Sequence, residues 1–287
     1  MNDTDGKPAA DSADAFGALS DPLRIDILQA LAAYHYETRN AEPIGFADLR
    51  RRTDVRDSGR FRYHLEQLRG RFVEKADEGY RLTYAGVEVV AAILMGTYTE
   101  QLTVGPEELD SDCFVCGEPA VATYENGICR VVCANEHPLF QWSVPPNAAA
   151  DAMLPEIIEL AELLVYQAIE QALAGTCPKC YHPIETEVLL EEKAPQPSFR
   201  TECDTCGGTV VGPVGFCLLV DPEVAAFYQR HEGGLREHYI WELPFIRESA
   251  ITNVEEDPVQ VEIGISFDEK SLSVVVDEAG HVAAIDR

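Results

Sequence analysis

Asp57-Ser58-Gly59-Arg60-Phe61-Arg62-Tyr63-His64-Leu65-Glu66-Gln67-Leu68 is the stretch on which the reading of this chain turns. Phe61, Leu65, Leu68 and Phe72 recur at helical spacing, so the stretch predicts an amphipathic helix with one buried face. Asp57 or Ser58 can cap its first turn through a side-chain oxygen. Arg60, Arg62, Tyr63, Gln67 and Arg69 fall on the other face. Charged, bidentate and aromatic side chains on the exposed face of a capped helix suit a DNA groove. They suit plain solvent equally well, so the neighbouring segments decide.

Upstream, residues 15–36 predict a helix with Ser20 or Asp21 as cap, Pro22 in the first helical position, and a stripe of Leu23, Ile27, Leu28 and Leu31. A loop with Asn40, Pro43 and Gly45 interrupts it, and Phe46–Thr53 forms a second short helix that turns through Asp54-Val55-Arg56. Downstream, Phe72–Lys75 and Tyr80–Thr83 alternate around Ala76-Asp77-Glu78-Gly79, a hairpin with Gly at its tip. Helix, helix, turn, helix and hairpin in about sixty residues is the winged helix-turn-helix order.

Charge supports that reading. The chain has 287 residues and a formal net charge of −28. Residues 20–75 hold eleven basic and nine acidic residues, a balance of +2, whereas residues 76–287 hold ten basic and thirty-seven acidic, a balance of −27. Half of the positive charge sits in one fifth of the chain, and a local basic patch points to nucleic acid more directly than net charge does. The acidic, lysine-poor composition resembles that of proteins from halophilic archaea, in which surface carboxylates hold hydrated cations.

The runs ALSDPLRIDILQAL, FADLRRRTDV and RFRYHLEQLRGRFVEK, followed by the Gly-tipped wing, resemble the ArsR-type (arsenical-resistance-repressor) superfamily of prokaryotic regulators over residues 15–98. The S-D-P-x-R opening and the H-L-x-x-L helix carry the match. The resemblance implies a dimeric DNA-binding regulator. In such a protein the helix expected at Tyr84–Tyr98, with its apolar face of Val87, Val90, Ala91, Leu94 and Tyr98, would pair with its mate in a homodimer. Residues 1–112 contain no cysteine, so the metal-sensing thiolates that some members carry on these helices are missing.

Two small modules are expected beyond a linker at 101–112. Cys113-x2-Cys116-Gly is a metal knuckle, a tight turn that aims two sulfurs at one ion. Its second half is drawn from Cys129, Cys133, Glu136 and His137. Cys133 ends an expected strand at Gly127–Val132, as a ligand should, which favours Cys113, Cys116, Cys133 and His137; the alternative exchanges His137 for Cys129. Cys177-x2-Cys180 and Cys203-x2-Cys206, twenty-two residues apart, form a four-thiolate zinc signature flanked by strand-like runs at Glu185–Leu190 and Thr209–Val214. Cys217 reads as a buried thiol. The two zinc-ribbon-like modules, 113–147 and 177–217, look like an internal repeat. Domains this small bury too little apolar surface to fold unaided, so metal is expected to contribute. A helix at Pro155–Ala174 joins them, and a helix starting at Asp221-Pro222 and a hairpin at 259–276 close the chain. This tandem arrangement behind a winged helix resembles a haloarchaeal domain to which no biochemical role attaches.

The fold class expected is therefore α+β: a disordered tail at 1–14, a winged helix-turn-helix at 15–100, and a two-module C-terminal domain at 113–287. Its function is expected to be sequence-specific transcription regulation. Arg60, Arg62, Tyr63 and Gln67 would enter the major groove. Ser58 and the helix start would hold a phosphate, Arg50, Arg51, Arg52 and Arg56 would grip the backbone, and Lys75 and Arg81 would flank the wing. Winged helix plus zinc ribbon also resembles the archaeal general factor transcription factor E, which implies recruitment of the transcription machinery. No Gly-rich phosphate loop, nucleophile elbow or helical His-Glu-x-x-His is present, so no enzymatic activity is expected. A polar, acidic start and no long apolar run point to a cytoplasmic protein.

Overall fold

The computed structural model describes residues 12–38, 42–191 and 194–287. Most of the expected 1–14 tail, and Asn40 of the first loop, lie outside the described residues. The chain is mixed α+β and divides into two compact units, Met1–Glu100 and Gln101–Arg287.

The first unit runs α1 (Ser12–Gly17), α2 (Pro22–Thr38), α3 (Phe46–Arg52), α4 (Ser58–Leu68), β1 (Val73–Ala76), β2 (Gly79–Leu82) and α5 (Tyr84–Leu94). Residues 12–14, read as part of the tail, belong to α1. Asp21 caps α2, accepting a hydrogen bond from Leu23 N–H at 2.9 Å. Asp57 caps α4, accepting from Gly59 N–H at 2.8 Å and Arg60 N–H at 3.1 Å. The α4 stripe of Phe61, Leu65 and Leu68 is fully buried against Leu23, Ile27, Leu28, Leu31 and Leu49. Each such side chain contributes about 1.5–3 kcal/mol of burial. Phe72 joins this core from the turn after the helix. The hairpin β1–β2 pairs Val73 with Leu82 and Ala76 with Gly79. The helix expected over 84–98 stops at Leu94, because Gly96 adopts φ +72° and turns the chain away, leaving Tyr98 outside it.

The residues that carried the family resemblance turn out to be architectural. Arg24 Nε lies 3.4 Å from His64 Nδ1, and Asp21 Oδ1 lies 3.5 Å from the same nitrogen. Arg24 also donates to the Ala18 carbonyl at 3.0 Å. Asp21 and Arg24 thus fasten the start of α2 to the buried His64 of α4, fixing the angle at which α4 presents its outer face.

The second unit is built from three antiparallel sheets and two main helices. β3 (Thr103–Asp112), β4 (Pro119–Glu125), β5 (Ile128–Cys133) and β6 (Pro138–Ser143) form a four-stranded meander. A short α6 (Pro146–Ala149) leads to α7 (Leu154–Leu173). β7 (Thr186–Leu189), β8 (Ser198–Glu202) and β9 (Thr209–Pro213) form a three-stranded sheet. The run Val214–Val220 follows as a 3-10 helix, and α8 (Pro222–His231) starts on the Asp221 cap. Short 3-10 turns occupy Leu235–Ala250, and β10 (Ile251–Glu256), β11 (Val259–Phe267), β12 (Lys270–Asp277) and β13 (Val282–Asp286) close the chain.

The supposed linker at 101–112 is corrected here: Gln101 and Leu102 lead directly into β3, an edge strand paired with β4. Its one buried side chain is Leu109, and an acidic edge strand with Pro106 shows no alternation to read. The expected closing hairpin is the centre of a four-stranded sheet, with β10 and β13 at its edges. The repeat holds for topology, because β4–β5–β6 and β7–β8–β9 are successive antiparallel meanders, each following a cysteine loop; β3 has no counterpart in the second.

One core joins the second unit. α7 buries Leu154, Ile157, Ile158, Ala161, Val165, Tyr166, Ala168, Ile169 and Ala172 and leaves Glu156, Glu159, Leu163, Gln167 and Glu170 exposed, so it turns one broad apolar face to the core. Trp241 is fully buried, stacks on Tyr239 with ring centroids 4.4 Å apart, and donates from Nε1 to Ser111 Oγ at 2.9 Å. Glu162 of α7 accepts from Ile240 N–H at 2.6 Å, tying the helix to the 3-10 turns.

Candidate metal centres and nucleic-acid face

Four short loops present the ligand candidates, and three share one backbone pattern. Gly117 N–H donates to Cys113 O at 2.8 Å and Cys113 N–H to Glu118 O at 2.8 Å. Tyr181 N–H donates to Cys177 O at 3.0 Å and Cys177 N–H to His182 O at 2.9 Å. Gly207 N–H donates to Cys203 O at 2.8 Å and Cys203 N–H to Gly208 O at 2.9 Å. Each turn places its fifth residue in the left-handed region: Gly117 at φ +74°, Tyr181 at +60° and Gly207 at +69°. The fourth loop is one residue shorter. Glu136 N–H bonds Cys133 O at 2.8 Å, Cys133 N–H bonds His137 O at 3.3 Å, and Glu136 is left-handed at φ +61°. The tighter turn brings a longer imidazole, not a second thiol, to the cluster.

These loops bring together two groups, Cys113/Cys116/Cys133/His137 and Cys177/Cys180/Cys203/Cys206, each with its ligand atoms within 4.8 Å of one another. In the first, Cys116 Sγ lies 3.6 Å from Cys133 Sγ, and His137 Nδ1 lies 3.3 Å from Cys133 Sγ and 3.7 Å from Cys113 Sγ. In the second, Cys177 and Cys206 sulfurs are 3.7 Å apart and those of Cys180 and Cys203 3.6 Å. A tetrahedron with metal–sulfur bonds of about 2.3 Å has sulfur–sulfur edges of about 3.8 Å. A disulfide would need about 2.05 Å. The donor sets therefore fit a four-coordinate ion, and both groups can hold a metal.

The protonation of the thiols carries the same message. The Asn135 side chain, 3.4 Å from Cys116 Sγ, donates to it and, with the Glu118 backbone, draws that thiol down to about 6. Burial raises Cys177, but the N–H groups of Cys180 and Lys179 outweigh it and the thiol falls to about 6. The His182 N–H lowers Cys180, yet burial and its three neighbouring thiols push it up to about 12. Thiols this close cannot all ionise unaided, and a dication resolves the conflict. Asn135 is a functional residue that sequence reasoning missed. The Cys-Ala-Asn-Glu-His run could have pointed to it, because an amide two residues past a ligand can donate back across the site.

Cys129 is no ligand: β5 turns it into the core, where burial, with the Glu162 charge second, pushes its thiol up to about 11. Glu136 supplies the turn rather than an oxygen. Cys217 is buried as expected, and burial pushes its thiol up to about 12. Tyr181 is a non-glycine residue in the left-handed region at an exposed position. Tyr181→Gly is therefore expected to stabilise the loop by about 1 kcal/mol, read as a raised thermal midpoint at unchanged metal content. An unchanged or lowered midpoint would show that Tyr181 has a packing role.

On the first unit, Arg60, Arg62, Tyr63 and Gln67 all stand on the exposed side of α4. The Arg62 guanidinium lies 4.8 Å from the Phe46 ring centroid, which orients it alongside the helix. Among the described residues Arg56, Arg60 and Lys75 make no ion pair. Other candidates are engaged. Arg51 pairs with Asp48, Arg81 with Glu74 and Arg69 with Glu66. Arg52 makes a bidentate contact to Glu37 at 2.6 and 3.1 Å and lies over the Tyr34 ring. Arg50 donates to the Arg56 carbonyl at 3.3 Å. The expectation that the start of α4 holds a phosphate needs correcting. The Asp57 carboxylate already takes the Gly59 and Arg60 N–H groups, and they hold it below the usual carboxylate range, so an anion there is repelled. The Ser58 hydroxyl is exposed beside it.

No helix among the described residues is long and apolar enough to cross a membrane. Residues 110–282 match a family described as a domain of unknown function, DUF7351, and residues 12–93 match a second, DUF7347. No curated protein matches the chain.

Proposed function

The chain belongs to the DUF7351 family, and we propose that it is a DNA-binding transcriptional regulator with an ArsR-type winged helix-turn-helix domain and two structural zinc ribbons. The observation that carries this reading is the division of α4. One face is fully buried, the other displays Arg60, Arg62, Tyr63 and Gln67, and the helix lies in the one basic stretch of a very acidic chain. α4 is the recognition helix, β1–β2 the wing, and the protein acts in the cytoplasm. Arg60 and Gln67 offer the bidentate geometry that reads base edges. Arg56 and Lys75 contact phosphates. Arg50, Arg51, Arg52 and Arg81 contribute field more than direct contacts, because each is already engaged within the protein. Arg60→Ala is expected to cost about 1–3 kcal/mol on the target site and to relax base preference; equal loss on target and random DNA would contradict that role.

A second copy packs on the apolar face of α5, whose Val87 and Leu94 are exposed, giving the homodimer that a two-fold DNA site needs. Cys113, Cys116, Cys133 and His137 hold one zinc ion, and Cys177, Cys180, Cys203 and Cys206 the other. Both sets use all four positions, leaving no open coordination site for a reacting water. An alternative reading, recruitment of the transcription machinery in the manner of transcription factor E, is favoured by the exposed Phe114, Val115 and Tyr181 on the metal loops. Capture of RNA polymerase without any preferred DNA sequence would support it over the first.

Salt provides a further test. Ordinary DNA binding weakens steeply as counterions are released. A chain of net charge −28 that works in concentrated salt is expected to show a shallow or inverted dependence, with cations taken up between carboxylates and phosphates. Fluorescence anisotropy from low to molar KCl measures the slope, and a steep ordinary decline would refute the expectation.

A further inference from the structure

The side chains on the outer face of α4 are not equally free. Arg62 makes no ion pair among the described residues, yet its guanidinium is held 4.8 Å from the centroid of the Phe46 ring. Phe46 is the first residue of α3. Its ring meets that of Phe61 edge to face, with centroids 5.2 Å apart and an interplanar angle of 77°, and Phe61 is fully buried. The Phe46 ring is therefore anchored on the core and carries the Arg62 cation on its outer side. A guanidinium over an aromatic face is attracted by the ring and keeps its N–H edge available to a further partner.

The stack also sets a direction. Arg62 and Arg60 stand about 160° apart round α4, on opposite flanks of its outer face, with Tyr63 and Gln67 between them. Arg62 is on the flank beside α3, and Phe46 draws it further from the middle of that face. Side chains in the middle of a helix laid in the major groove meet base edges; one turned aside toward the neighbouring helix meets the groove wall, which is the phosphate backbone. The Asp48 carboxylate, two residues along α3 from Phe46, is taken by Arg51. The N–H groups at the start of α4 are taken by Asp57, so a phosphate beside this end of the helix needs a side chain to hold it.

We propose that Arg62 binds a DNA phosphate and reads no base, and that Phe46 is its positioning residue. The inference rests on the DNA-binding reading above and assigns Arg62 a task different from that of Arg60 and Gln67. A guanidinium can give a phosphate two parallel, charge-assisted N–H···O bonds. Phe46 holds the side chain in place before DNA arrives, so less rotamer freedom is lost on binding. A phosphate contact of this kind fixes the register of α4 in the groove and carries no sequence information of its own.

The test uses the full, zinc-loaded chain, the DNA site recovered by selection and a random duplex of equal length, with anisotropy read at fixed salt. Arg62→Ala is expected to weaken binding to both duplexes alike, by roughly 10–100-fold, with base preference unchanged. Single phosphates of the selected site are then replaced by neutral methylphosphonates. One position in each half-site is expected to weaken the wild-type chain and to leave Arg62→Ala unaffected. Phe46→Leu loses roughly 2–5-fold on both duplexes, Phe46→Tyr keeps full affinity, and the double variant binds no more weakly than Arg62→Ala alone. A loss confined to the selected site, or a changed base preference, shows that Arg62 reads a base and overturns the proposal. Unchanged affinity in Arg62→Ala reduces the stack to a packing contact and overturns it too. Losses that add in the double variant, or equal losses in Phe46→Tyr and Phe46→Leu, overturn the positioning role. A wild-type chain that binds neither duplex fails the DNA reading itself, and this proposal with it.

Discussion

A chain carrying Cys203→Ser is expected to hold one zinc ion instead of two and to lose the folded state of residues 177–213. The reason lies in how few side chains that sheet contributes to the shared core. β7, β8 and β9 bury the apolar side chains of Val188, Phe199 and Val210, together with Thr201. Fully burying an aliphatic or aromatic side chain contributes about 1.5–3 kcal/mol, whereas ordering each residue's backbone costs about 1–2 kcal/mol. A structural zinc ion adds about 10–16 kcal/mol at neutral pH, most of it as folding free energy. Cys203 also anchors its loop, where its backbone N–H and C=O bond Gly208 and Gly207. Elemental analysis and limited proteolysis read the outcome, with new cleavage expected between Cys177 and Pro213. Cys129→Ala, which removes a buried thiol outside both clusters, is the control and keeps two ions. Two ions retained in Cys203→Ser, or one lost in Cys129→Ala, would refute the ligand assignment.

The second large effect belongs to Glu162. Burial pushes its carboxyl up to about 7; the Ile240 N–H pulls the other way, and the Glu242 and Glu159 carboxylates add to the rise. A carboxyl whose folded value lies above its unfolded one binds its proton more tightly in the native state. Its stabilising contribution is therefore full below about 4.5 and is lost as pH rises through about 7. A shift of this size corresponds to about 3 kcal/mol. Glu162→Gln keeps an oxygen to accept from Ile240 and removes the charge. The variant is expected to match the wild-type chain near pH 4.5 and to exceed its stability by up to about 3 kcal/mol at pH 8, measured by urea unfolding at fixed salt. A difference that stays constant with pH would show that Glu162 is charged throughout or that its surroundings relax.

Much of this was readable in advance where burial imposes a period. The stripes of α2, α4 and α7 are core, the Asp221 and Asp57 caps are where short polar residues precede a periodic run, and the eight residues brought together in the two clusters are those favoured by spacing. His137 was preferred to Cys129 because a strand's inward thiol cannot also serve a loop, and the buried Cys129 bears that out. What escaped were edge strands. β3, β10 and β13 are held by backbone pairing on one side and bury few side chains, so residues 101–112 read as a linker and no strand is expected at 251–256 or 282–286. β8 was missed for a different reason: in five residues its two inward side chains, Phe199 and Thr201, make too short an alternation to stand out. Side-chain pairing was also illegible. Nothing in the order of residues told that Arg52 and Arg81 are engaged by Glu37 and Glu74. Those facts depend on distances across elements, and they narrow the expected DNA contacts to Arg56, Arg60, Arg62, Tyr63, Gln67 and Lys75.

The fold therefore concentrates its functional proposal on one helix. Asp21, Arg24 and His64 tie α4 to α2, its apolar stripe fixes its rotation, and what remains outside is the short row of side chains proposed to read bases. The most direct measurement is selection of bound sequences from random double-stranded DNA by the zinc-loaded protein, run in parallel with Arg60→Ala at molar KCl. The account predicts an enriched, two-fold-related site for the wild-type chain and loss of preference at one position in each half-site for the variant. Absence of any enriched sequence, or an identical preference in both proteins, would contradict it.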